Sequence, residues 1–231
     1  FLRRELMDAG ILVMDKPEGF TSFDVVAKLR GILHIKKIGH TGTLDPLATG
    51  VLVVCVGRAT KLVSKLTAEE KVYEAGILFG EKRDTGDITG KITATSEEPI
   101  TEEQFKAVFP GFTGDIKQIP PMYSAKKVNG KKLYEYAREG IEIEREPGDI
   151  HIYSLELLDF SYPHASMRVH CSKGTYIRTL IEDLAEAAGT FATMESLRRT
   201  KNGDFSIDEA VTFEELEAAD DPWTLVKPVE V

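Results

Sequence analysis

The chain has 231 residues, 42% of them hydrophobic and 29% charged, with a formal net charge of −9. This is the composition of a globular protein large enough to bury a sizeable core, and no apolar run approaches the ~20 residues of a membrane span. Cys55 and Cys171 lie in apolar stretches without paired spacing and the five histidines are scattered, so neither a disulfide framework nor a metal site is expected, and the cysteines read as buried reduced thiols of a cytoplasmic protein.

The opening "FLRRELMDAG" is too short and too charged for a signal peptide. Residues 10–14 form a short predicted strand halted by "DKPEG". Thr21 or Ser22 caps a helix to about residue 33, with Val25, Val26, Leu29 and Leu33 on one face. A loop over 36–50 precedes a buried strand at 51–56 and a short helix near 59–66. "KVYEAGILFG" alternates as a strand, and "EKRDTGDITG" reads as a hairpin connection. Thr101, with Glu103 and Gln104 behind it, opens a helix to about residue 109. Residues 141–172 alternate enough for two or three strands. "GTYIRTLIEDLAEAAG" places Ile177, Leu180, Ile181 and Leu184 on one stripe and stops at Gly189, an amphipathic helix over 175–188. Irregular interleaving of helices and strands predicts an α+β fold around a mixed sheet, as one domain without an obvious linker.

Within the loop, "KIGHTGTLDPLATG" surrounds one carboxylate, Asp45, with turn-forming residues. Asp before Pro46 is by itself an ordinary turn residue. Gly39, Gly42 and Gly50, however, permit backbone conformations closed to other residues and let a ligand approach the main chain. Such a stiff, open loop suits a nucleophile or general base.

Arg178 stands at the start of the 175–188 helix, where the dipole disfavours a cation, so an anion is expected against it, phosphate or protein carboxylate; Tyr176 and the preceding "SKG" are placed to meet the same ligand. Tyr73 lies in a strand, where an aromatic is core or a platform for an extruded base. "PPMYSAKKVNGKKLYEYAREG" combines Tyr123, Tyr134 and Tyr136 with Lys126, Lys127, Lys131, Lys132 and Arg138. Rings for bases beside cations for phosphates suit single-stranded or looped RNA. The acidity of the chain is local: residues 203–231 hold nine acids and one base, a net −8, which leaves −1 for residues 1–202. Two acid-free basic stretches, 28–44 and 117–132, then read as a polyanion footprint.

"DKPEGFTS", "GHTGTLDPLATG", "PPMYSAKKVNGKKLYEYAR", "CSKGTYIRTL" and "SLRRTKNGDF", in that order, closely resemble the TruB family of tRNA pseudouridine-55 synthases, over residues 10–216. The resemblance implies a pseudouridine synthase fold, a mixed and mainly antiparallel sheet flanked by helices. It further implies isomerisation of a flipped uridine in the T loop of tRNA. The family's catalytic aspartate falls on Asp45, its active-site tyrosine on Tyr73, its aspartate-pairing arginine on Arg178 and its pocket leucine on Leu197. His40 would occupy the space vacated by the uridine. Lys16 matches a lysine beside the active site, for which a structural role is the equal alternative. Residues of about 121–147 match a mobile RNA-gripping insertion, and the chain is expected to lack the complete C-terminal RNA-binding domain that many members carry.

The implied partner is the T arm of tRNA, with no membrane, no protein partner and no cofactor, since the reaction has no net redox or hydrolysis. Two other classes remain open at this level. A non-catalytic RNA-binding or RNA-folding protein explains the lysines and tyrosines but not a glycine-framed carboxylate facing a polyanion. A hydrolase with an aspartyl nucleophile would want metal-binding carboxylates beside Asp45, and "GTLDPLATG" supplies none.

Overall fold

The computed structural model describes residues 8–231; the opening FLRRELM, on which the signal-peptide expectation rests, lies outside them. β1 (Ala9–Lys16) runs two residues beyond the expected stop, because Asp15 and Lys16 continue its pairing with Val51 and Gly50. α1 (Ser22–Leu33) is capped by Thr21, which trades hydrogen bonds with Asp24, and it buries the expected Val25, Val26, Leu29 and Leu33. The expected long loop is shorter. Within it lies β2 (Ile38–Thr41), paired antiparallel with β3 (Thr49–Gly57), which leaves 36–37 and 42–48 irregular.

A 3-10 turn (Arg58–Leu62) and α2 (Val63–Thr67) replace the single short helix. β4 (Lys71–Phe79) alternates as its sequence demands, burying Tyr73, Ala75, Ile77 and Phe79. The hairpin connection is real and has strands of its own, β5 (Glu81–Arg83) and β6 (Ile92–Thr95). α3 (Glu102–Ala107) starts at the Thr101 cap and ends in a second 3-10 turn, followed by β7 (Gly114–Gln118). β8 (Lys127–Val128) and β9 (Lys131–Lys132) turn at Asn129 and Gly130, both at positive φ, and lead into α4 (Leu133–Arg138). The 141–172 stretch yields two strands, β10 (Gly148–Ser161) and β11 (His164–Cys171). α5 (Ile177–Ala187), β12 (Ala192–Asn202), β13 (Phe205–Ser206), α6 (Phe213–Ala218) and β14 (Lys227–Pro228) complete the chain.

These elements form two compact units, with β4 and β12 contributing residues to both. The first unit joins the segment ending at Tyr73 to Leu197–Val231. Its strands follow the order β14-β1-β3-β12, with β2 against β3 and β13 against β12. β1 and β3 are antiparallel, whereas β3 and β12 run parallel, Arg198 opposite Thr49 and Arg199 opposite Gly50. On one face α1 packs Val25, Leu29 and Leu33 against Leu12, Met14, Leu52 and Val54, and Phe213, Leu216 and Trp223 close the same core. Trp223 donates its indole N–H to the Leu33 carbonyl at 3.1 Å, satisfying the one polar atom that burial strands.

The second unit, Glu74–Ser196, orders its strands β4-β11-β10-β7, with β10 antiparallel to both neighbours. α5 buries Ile177, Leu180, Ile181 and Leu184, each side chain stabilising by about 1.5–3 kcal/mol relative to exposure. Phe79, Phe105 and Phe109 meet edge to face at 5.0 and 5.1 Å. Among the described strand pairs the antiparallel ones dominate, β3 and β12 pair in parallel, and helices cover the strands, as the α+β expectation requires. No helix among the described residues is long and apolar enough to cross a membrane.

Candidate active site

Asp45 sits exposed in the 42–48 loop between β2 and β3. Everything around it is held from below. The Leu44 N–H donates to Ser22 Oγ at 2.9 Å, and that hydroxyl donates back to the Leu44 carbonyl at 3.2 Å. Pro46 accepts from the Gly19 N–H at 2.8 Å, and the Ala48 N–H closes on the Asp45 carbonyl at 3.0 Å. Asn202 donates to the buried Thr41 hydroxyl at 3.1 Å. Two glycines are there for different reasons. Gly50, at φ +102°, lies so close to β12 that a Cβ would meet the Arg199 carbonyl at 2.1 Å; Gly42, at φ +66°, would place one 3.3 Å from the Arg199 guanidinium. The turn-forming residues therefore shape a rigid platform for one carboxylate.

Two buried cations underlie that platform. The Lys16 amine, fully buried, donates to the carbonyls of Pro17 at 2.9 Å, Phe20 at 2.5 Å and Pro46 at 3.5 Å. Burial brings its pKa down to about 8, against the pull of the Asp45 carboxylate. Arg199, also buried, donates to the carbonyls of Val51 and Gly42, each at 2.8 Å. Sequence reading offers Ser22 only as a possible helix cap and gives Arg199 and Asn202 no role; the only signal for Arg199 was its place in "SLRRTKNGDF". His40, on β2, is half-buried with its Nδ1 unpartnered, and desolvation, followed by the Arg199 charge, holds it below the usual imidazole pKa. Tyr73 is buried on β4, and Leu197 is half-buried on β12.

In the second unit Arg178 is buried in the first turn of α5, where it donates to the carbonyls of Thr85 at 2.9 Å and Tyr123 at 2.8 Å. Carbonyl dipoles thus meet part of the need for negative potential that its position created. Tyr176, the residue preceding the helix, is clamped through its backbone by Gln118, which accepts from its N–H at 2.9 Å and donates to its carbonyl at 3.0 Å. Beside Arg178 opens a cleft of about 650 Å³, lined by the β5–β6 hairpin, α5 and the 119–145 segment. Glu182 lines it one turn beyond Arg178, and desolvation pushes its pKa up to about 7.

The four candidate lysines fall into two classes. Lys126 and Lys127 are exposed. Lys131 pairs with Glu139 at 2.6 Å and lies 4.7 Å from the centre of the Tyr136 ring, while Lys132 sits 5.4 Å from the Tyr134 ring, which Arg138 also approaches at 5.0 Å. Tyr134 and Tyr136 are thus already engaged by the segment's own cations. Among the described residues no cluster of His, Cys, Asp and Glu has the geometry of a metal site.

Residues 30–177 match the sequence profile described as TruB family pseudouridylate synthase (N terminal domain). The chain belongs to the TruB family of pseudouridylate synthases. Residues 178–230 match a second TruB-family profile, the tRNA pseudouridylate synthase B C-terminal domain. A protein of Bordetella avium named tRNA pseudouridine synthase B is 49% identical over 216 residues, covering 92% of this chain and 88% of the relative. One of the same name from Azoarcus sp. is 50% identical, covering 94% and 72%. Among solved structures, a chain of a Cbf5-Nop10-Gar1 complex is 28% identical with a TM-score of 0.77, the match covering 97% of this TruB-family chain and 62% of the solved one. An H/ACA RNP bound to a substrate RNA containing 2′-deoxyuridine gives 27% and 0.69, covering 95% and 59%.

Proposed function

We propose that this enzyme converts uridine 55 in the T loop of tRNA to pseudouridine, with Asp45 as the catalytic carboxylate. The observation that carries the reading is a single exposed acid on a loop fixed by Lys16, Ser22, Arg199 and Asn202. The relatives named tRNA pseudouridine synthase B support the substrate class.

The reaction breaks the bond from C1′ to N1 and makes one from C1′ to C5; C5 gives up a proton, N1 gains one, and no electron is transferred to another molecule. The uridine has to leave the stack before either bond is accessible. In this reading His40 occupies the vacated space as a neutral ring, Tyr73 and Leu197 wall the pocket, and Tyr176 borders it. Arg178 pairs with Asp45 and keeps it ionised, offsetting the rise in pKa that a desolvated pocket favours. Lys16 steadies the loop through its carbonyl bonds. Residues of about 121–147, with Lys126, Lys127, Lys131 and Lys132, grip the T arm through its phosphates. The chemistry requires no cofactor, and a tRNA substrate places the enzyme in the cytoplasm.

The test is to incubate the protein with a uridine-containing T-arm hairpin and measure pseudouridine by mass spectrometry. Asp45→Asn is expected to fold, to bind the hairpin and to form no detectable product. Substantial turnover by Asp45→Asn returns Asp45 to the role of a turn residue, and binding without product by the unmodified protein makes this an RNA-binding module.

A further inference from the structure

Arg199 is the largest fully buried side chain among the described residues, only 1% exposed. Its Nε donates to the Val51 carbonyl and its Nη2 to the Gly42 carbonyl, each at 2.8 Å. Gly42 leads into the Asp45 loop and Val51 lies just past its exit, so one planar group bonds both arms. Its described partners are carbonyl oxygens, and no carboxylate of the described residues pairs with it. Burying a charge without a counter-ion is destabilising, and a methionine would fill similar space without that penalty. A guanidinium here brings what methionine lacks, a rigid fork of donors with a permanent charge.

We propose that Arg199 is a positioning residue for the Asp45 reaction, its guanidinium fixing both arms of the loop and supplying a permanent positive charge at the loop's base. The inference rests on Asp45 carrying the chemistry. His40 is its built-in reporter. The elements packed against β2 are α1, bearing Asp24, Lys28 and Arg30; α2, bearing Lys65; and β3, which has no charged residue. Apart from burial, the charge acting on the His40 ring is that of Arg199, which disfavours the protonated form. Removing that charge raises the His40 pKa, whereas a loop shift that keeps both the charge and the burial of the ring leaves it low.

The experiment uses the full chain with Arg199→Met and Arg199→Lys. It reads the His40 titration by NMR between about pH 5 and pH 8, and single-turnover pseudouridine formation at saturating T-arm RNA. Arg199→Met is expected to raise the His40 pKa and to slow the chemical step by about tenfold or more, with RNA affinity unchanged. Arg199→Lys keeps the charge but cannot bond both carbonyls, so the His40 titration stays low while the rate still falls. A wild-type rate in either folded variant overturns the proposal, as does a His40 titration unmoved in Arg199→Met. Should Arg199→Met fail to fold, the rate of Arg199→Lys decides. Turnover by Asp45→Asn overturns the assignment of the reaction instead, and leaves the His40 shift readable on its own.

Discussion

Lys16 reaches full burial with its charge met by the carbonyls of Pro17, Phe20 and Pro46. Its pKa in the fold, about 8, lies below the ordinary 10.5, with burial as the first cause. Between those values the unfolded chain holds more protons than the native one, so the contribution of Lys16 to stability rises with pH across that window. Urea unfolding of wild type and Lys16→Met from pH 7 to pH 10 is expected to show the stability difference shifting in favour of wild type above about pH 8; a difference independent of pH would mean that the amine titrates normally. At this scale the sequence was partly readable. Asp45 stood out because glycines and a proline frame it, whereas Arg199 did not, because its importance depends on two backbone carbonyls some 150 positions earlier in the chain.

Among the elements, α1 was legible because its cap and its apolar face are local: Thr21 and Asp24 exchange bonds three residues apart, and the buried positions repeat with the helical period. β2 was not. Its four residues include Gly39 and His40, and only pairing with β3 makes them a strand. β12 hid for the same reason, since its ESLRRTKN run reads as polar until it pairs with β3 at Arg199 and with β13 at Asn202, both buried. α5 showed its stripe but not the chemistry of its other face. There Glu182 is desolvated, attracted by Lys82 and Arg178 and repelled by Asp183 and Glu186, with the net pKa up at about 7 from 4.5. For a carboxyl raised in the fold the native state holds the extra proton, so stability falls as pH rises from about 4.5 to about 7. Glu182→Gln is expected to be more stable than wild type at pH 7.5, with the gain fading towards pH 4.5 in thermal melts. An equal gain at both pH values would place the carboxyl in solvent.

Over the whole molecule a net charge of −9 coexists with a proposed polyanionic substrate, and the resolution lies in where the charge sits. The acidic run falls after residue 202, whereas Lys126 and Lys127 stand exposed on the hairpin segment. Lys131 and Lys132 are committed to Glu139 and to tyrosine rings. Lys126→Gln with Lys127→Gln is therefore expected to flatten the salt dependence of RNA binding more than the same change at Lys131 and Lys132. Removing one lysine–phosphate pair lowers the log–log slope by ~0.7–0.9. Equal slopes in filter-binding titrations would make all four lysines one solvated face. The five motifs in order carried the family assignment; the division of the chain into two units was not visible, because no linker composition marks it.

That division has a consequence for synthesis on the ribosome. The second unit is one uninterrupted stretch, Glu74–Ser196, while the first draws its last part from Leu197–Val231. Phe213, Leu216 and Trp223, which close the core over α1, emerge only after the whole of the second unit. Domains generally fold as units during translation, the earlier-made before the later. Here the nascent chain reverses the order: the middle can complete its fold while the segment carrying Asp45, made first, still waits for the partners of its core.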